Sequence, residues 1–133
     1  MLDREIAEDA AEKIAQEIAG QTNTKSQVVA IELSNKRDAF WLTVRVGLWR
    51  YYGQGSNPFE WYDEVNGVRT TNYSHLLRLR IPETVLTDKD SAFKLWEIST
   101  FLATVWMENR YSRTIKKQYV IPYLDTKEIK LKN

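Results

Sequence analysis

Near the start of the chain Ile6, Ala10, Ile14 and Ile18 recur every four residues, with Ala7, Ala11, Ala15 and Ala19 forming the adjacent row. That spacing predicts a helix with one apolar face. Acidic residues take the other side and crowd the first turn, where the helix dipole favours them. Gly20 is the expected stop. The alanine row is small, so this helix is suited to close approach by another backbone.

After a polar connector over 21–26 the period changes from four to two. Val28 to Leu33 predicts a strand with Val29, Ile31 and Leu33 on one face, closed by a turn over 34–38. The run from Ala39 to Tyr52 is the clearest strand in the chain. Phe40, Leu42, Val44, Val46 and Leu48 alternate there with Trp41, Thr43, Arg45, Gly47 and Trp49. Beyond a loop over 53–58, Asn66-Gly67 separates two further runs, and this dipeptide is the strongest short hairpin signal. A two-residue turn would place Val65 opposite Val68 and Glu64 opposite Arg69. The returning strand carries Leu77, Leu79 and Ile81 on its apolar side and stops at Pro82.

Thr87 to Asp90 has capping-box spacing and is expected to open a helix reaching about Arg110. Phe93, Leu95, Trp96, Ile98, Phe101, Leu102, Val105, Trp106 and Met107 cover more than one side of it. One side can face the sheet, and the other calls for the first helix or a partner chain. Gln118 to Ile121 suits a final strand that Pro122 would confine to a sheet edge. The predicted class is α+β: an N-terminal helix, a four-stranded antiparallel β-meander, a long C-terminal helix packed on the sheet, and room for a last edge strand. Residues 1–110 form the expected domain, with 111–133 as a basic C-terminal extension.

Composition narrows the function classes. At 133 residues and 15.6 kDa the chain is one domain in size, and 43% hydrophobic against 28% charged residues excludes a wholly disordered polymer. The absence of cysteine excludes disulfides and thiolate chemistry, and a single histidine excludes a two-histidine metal site. A net charge of +1 gives no global reason to expect nucleic acid. The charge is unevenly spread, however. Residues 1–20 carry six acids and two bases, whereas residues 110–133 carry seven bases and two acids. Solvated surfaces account for this, as does an acidic end meeting a basic one within or between subunits. The charged opening Met1 to Glu5 does not resemble a signal peptide, and the apolar stretch 101–107 is far below the roughly 20 residues that span a bilayer. A cytoplasmic protein without membrane contact is expected.

Catalytic constellations are not legible. His75 shares parity with the apolar residues of its strand, which predicts a core histidine, and Ser74 points to the opposite face. The glycines at 53 and 55 fit no phosphate-loop pattern. Glu60 and Glu64 share a strand face, but two carboxylates are a poor ligand set for a cation. No metal, cofactor or enzymatic activity is expected.

The candidate site is the second face of the sheet. Trp41, Arg45, Trp49 and Tyr51 lie there on the long strand, and Leu76, Arg78 and Arg80 on the returning strand. Tryptophan, tyrosine and arginine dominate interface hot spots, and they also stack bases and pair with phosphates. Three readings follow: a subunit or partner interface, a nucleic-acid or nucleotide platform, and a second core layer under the basic tail. The leading expectation is a non-enzymatic, homo-oligomeric interaction protein that binds a macromolecular partner as an inhibitor, adaptor or particle component. The alternative is a binder of single-stranded nucleic acid or a nucleotide.

Overall fold

A computed structural model describes residues 1–47, 63–65, 68–70, 74–109 and 119–124. Helix α1 (Arg4–Thr22) opens on Asp3, whose carboxylate accepts the Ile6 N–H at 2.9 Å. The helix continues through Gly20 and stops at Asn23, which takes a left-handed φ of 54°. There the Thr24 N–H closes back on the Ala19 carbonyl at 3.2 Å. Burial of Ile18 holds the last turns in place, and Asn23, not the expected Gly20, supplies the left-handed stop, which asparagine tolerates. The buried stripe is Ala7, Ala10, Ala11, Ile14, Ala15 and Ile18, whereas Ile6 is exposed. As its small residues suggested, α1 lies close against its neighbours, with Cα atoms within 8 Å of those on the first strand and on the long C-terminal helix.

The main sheet has three antiparallel strands, β1 (Lys25–Leu33), β2 (Ala39–Gly47) and β5 (Ser74–Pro82), in the order β1-β2-β5. Two short strands, β3 (Asp63–Val65) and β4 (Val68–Thr70), form a separate two-stranded sheet. Three antiparallel strands of the expected meander are thus present, with β5 on the second edge of β2, and among the described residues a fourth strand is not shown. The reason for the β2–β5 pairing lies in the register. Phe40 pairs with Ile81, Leu42 with Leu79, Val44 with Leu77 and Val46 with His75. β2 and β5 match in apolar parity over nine residues, which favours this pairing. The hairpin keeps the pairing its turn dictates, Val65 with Val68 and Glu64 with Arg69.

Strand β1 differs from its predicted parity at one point. Val28 pairs with Val44 and Ala30 with Thr43, so Val29 is an extra residue in a β-bulge. The core side is Val28, Ile31 and Leu33, and Val29 is 46% exposed.

After β5 a short helix α2 (Glu83–Thr87) precedes helix α3 (Ser91–Asn109). Thr87 closes α2 and does not cap α3; its hydroxyl donates to the Glu83 carbonyl. Asp88 organises the junction. Its carboxylate accepts the Asp90 N–H at 2.9 Å and pairs with Lys94, and both contacts hold the Asp88 carboxyl below its usual range. Helices α1 and α3 lie side by side on one sheet face. Ile14, Ile18, Leu95, Ile98, Leu102 and Trp106 meet Phe40, Leu42, Val44, Leu77, Leu79 and Ile81 in a single core.

Residues 119–124 do not form the expected strand. They run back along α3 as a strap. The Tyr119 hydroxyl donates to Glu108 at 2.5 Å and accepts from Asn109 Nδ2 at 2.9 Å, and its ring meets Phe101 edge-on. Farther along, the Tyr123 hydroxyl donates to Glu97 at 2.6 Å, and Lys94 lies over its ring. Both phenols are shifted above their usual range, Tyr119 by burial and then by the carboxylate beside it, Tyr123 by the Glu97 hydrogen bond. Pro122 has no N–H for a ladder, and Tyr123 sits at φ 65°, which breaks an extended run.

Candidate interaction face

Because α1 and α3 share one side of the sheet, alternate residues of the same strands form its other side. Trp41, Thr43 and Arg45 on β2 stand beside Leu76, Arg78 and Arg80 on β5, and all six are half-buried. The ladder sets their neighbours: Trp41 lies between Glu32 and Arg80, Thr43 between Ala30 and Arg78, Arg45 between Gln27 and Leu76.

Trp41 anchors this face. Arg78 reaches diagonally over it, its guanidinium carbon 4.0 Å from the ring centroid, and places Nη2 3.7 Å from Glu32. Arg80 places Nη2 3.7 Å from Asp38 in the β1–β2 turn. The Ser34 hydroxyl donates to Asp38 at 2.7 Å; this bond holds the Asp38 carboxyl below its usual range, with Arg80 and Lys36 adding to the effect. Such exposed pairs contribute little stability, roughly 0–1 kcal/mol each. What they do is fix the direction of long side chains. A cation held over a tryptophan face makes a flat, stiff surface, and stiff surfaces lose less side-chain entropy on binding.

Of the predicted site residues, the structure thus brings together Trp41, Arg45, Arg78 and Arg80. Trp49 and Tyr51 lie outside the described residues, as do the 53–58 loop and Glu60. His75 is 1% exposed in the core row with Val46, as its parity required. Among the described residues no group of three or more His, Asp or Glu side chains is placed to hold a metal, and no helix is long and apolar enough to cross a membrane. The described part of the C-terminal extension lies on α3, on the far side of the molecule from Trp41.

Two features of the surface were missed from the sequence. Glu32 and Asp38 supply acidic partners to the arginine face; the parity of Glu32 opposite Trp41 was a usable signal for the first. On the helix layer, Phe93 and Trp96 look in the sequence like any apolar helix positions. They are 54% and 48% exposed and stack on each other with centroids 5.9 Å apart. Trp96 borders a groove of about 230 Å³ in the seam between α1 and α3, where Lys13 and Glu17 face Leu95 and Ser99. Searches against known proteins leave the reading to this geometry: the chain matches no protein family, no curated protein and no solved structure.

Proposed function

We propose that this is a non-enzymatic, self-associating interaction protein that binds a macromolecular partner, and that the open sheet face does the binding. The observation that carries the reading is Trp41 under Arg78, fixed at 4.0 Å in a sheet face that neither α1 nor α3 covers. Tryptophan and arginine held in a partly desolvated patch are the usual anchors of protein interfaces. A role as inhibitor, adaptor or particle component fits such a surface.

Nucleic-acid binding is the weaker reading. Arg78 and Arg80 each have a carboxylate within 4 Å, and Glu32 and Asp38 would repel phosphates on the same face. A protein partner can match mixed charges; a phosphate backbone cannot.

The test is sedimentation of the wild type and Trp41→Ala across micromolar concentrations, beside single-strand binding at two salt concentrations. Loss of about 2 kcal/mol or more of association free energy, with the fold retained, is expected for a central anchor. A wild type that stays monomeric at every concentration would overturn self-association. Tight, salt-sensitive single-strand binding lost with Arg45 or Arg78 would favour the nucleic-acid reading.

A further inference from the structure

Among the described residues, the two sides of the main sheet carry opposite charge. Residues 1–24 and 83–109, which build the helix layer, hold eleven carboxylates and four cationic side chains. Residues 25–47 and 74–82, the main sheet and its turn, hold six cationic side chains and two carboxylates. Each side also presents an aromatic anchor, Trp41 on the sheet and the stacked Phe93–Trp96 pair beside the α1–α3 groove.

A sheet face meeting its own copy would set Arg45, Arg78 and Arg80 against the same three arginines, with only Glu32 and Asp38 on each side to offset them. A helix layer meeting its own copy would set carboxylates against carboxylates. Like charges in register across an interface are unfavourable, whereas basic against acidic is complementary and steers encounter. Resting on the reading of the sheet face given above, we infer that self-association is head-to-tail: the open sheet face of one copy docks on the α1–α3 seam of the next. Trp41 and Leu76 then lie against Phe93 and Trp96, and Arg45, Arg78 and Arg80 face Glu17 in the seam and the net acidic helix layer around it. A contact between two different faces leaves one free face at each end. It therefore grows into a ring or an open chain of copies, not a closed two-fold dimer.

A mixing experiment with two variants of the full chain decides it. The first, Arg78→Glu with Arg80→Glu, damages only the sheet face. The second, Trp96→Ala with Glu17→Lys, damages only the seam. Wild type should form species larger than a dimer as concentration rises, and shrink as salt screens the charges. Each variant alone should associate on the order of tenfold or more weakly. Mixed in equal amounts, the two should form a one-to-one complex, because each retains the face the other lacks. If the seam variant associates like wild type while the sheet variant does not, the head-to-tail arrangement is wrong and the sheet-face reading stands. If the sheet variant associates like wild type, that reading falls and this one with it. A wild type that remains monomeric overturns both. Circular dichroism establishes that each variant is folded; Arg45→Glu and Phe93→Ser replace any that is not.

Discussion

The two faces of the three-stranded sheet are made by the same strands and differ by one residue of parity. On the covered face Phe40, Leu42, Val44, Leu77, Leu79 and Ile81 are fully buried. On the open face their immediate neighbours are half-buried arginine, tryptophan, threonine and leucine. Each fully buried aliphatic side chain contributes roughly 1.5–3 kcal/mol through desolvation. Each exposed ion pair contributes roughly 0–1 kcal/mol. Stability is thus concentrated on one side. The other side carries charged and aromatic groups whose ion pairs add little to the fold.

The most direct way to break this contrast is to truncate adjacent residues of β5. Leu79→Ala should cost about 2–5 kcal/mol in denaturant unfolding, since Leu79 is fully buried in the core. Should Arg80→Ala cost as much, the open face would be a second core layer and the contrast would fail. The covered side has its own outer border, the strap on α3. Tyr119→Phe removes one hydroxyl that joins two α3 side chains, and a loss of about 1 kcal/mol is expected. Gly20→Ala should stabilise by about 0.5 kcal/mol. The residue is helical, and an added Cβ would meet nothing within 4 Å. A loss there would mean that α1 is strained at its end.

The smallest effects belong to the charges. Arg80→Ala should change stability by about 0.5 kcal/mol or less, because its Asp38 partner is well exposed. The acid limb of the stability curve compares the two sides again. Asp38, beside the open face, and Asp88, at the start of α3, both have carboxyls held below their usual range. Folding then favours their charged forms. That contribution is complete above the ordinary carboxylate pKa of about 4 and is lost as the pH falls through the lower folded values. Asp38→Asn and Asp88→Asn should each flatten the acid limb in a urea series from pH 5 to 2. An unchanged slope would show that the hydrogen bonds of Ser34 and Asp90 do not persist in solution.

Legibility from sequence followed the strength of the local pattern. The α+β class, both long helices, the β2 and β5 parities and the hairpin register were readable, because burial enforces a period and Asn66-Gly67 enforces a turn. The order of the sheet was not. It depends on which strands match over nine residues, a comparison between distant segments that no local window contains. The same applies to Gly20 and Thr87, where tertiary packing and Asp88 decide the helix ends. For the candidate site, the sequence placed Trp41, Arg45, Arg78 and Arg80 on one face. It missed the carboxylate partner in the turn, since Asp38 reaches Arg80 through a bend with no period. It also missed the exposed Phe93–Trp96 pair, since apolar residues on a helix look alike until the neighbours are known.

The extra residue at Val29 has a consequence for how such a molecule stays out of trouble. Among the described residues β1 is an outer strand, and an unbroken outer strand is a template for pairing with any other extended chain. The bulge interrupts the even spacing of its outward N–H and C=O groups and sharpens the local twist. Nearby, the Arg4 guanidinium donates to the Ile31 carbonyl at 3.4 Å, putting a charge beside the same strand. A chain lacking Val29 would keep Val28, Ile31 and Leu33 inward but present a regular rim. It should form thioflavin-positive fibrils sooner than wild type on gentle heating, because sheets could then extend by zipping rim to rim.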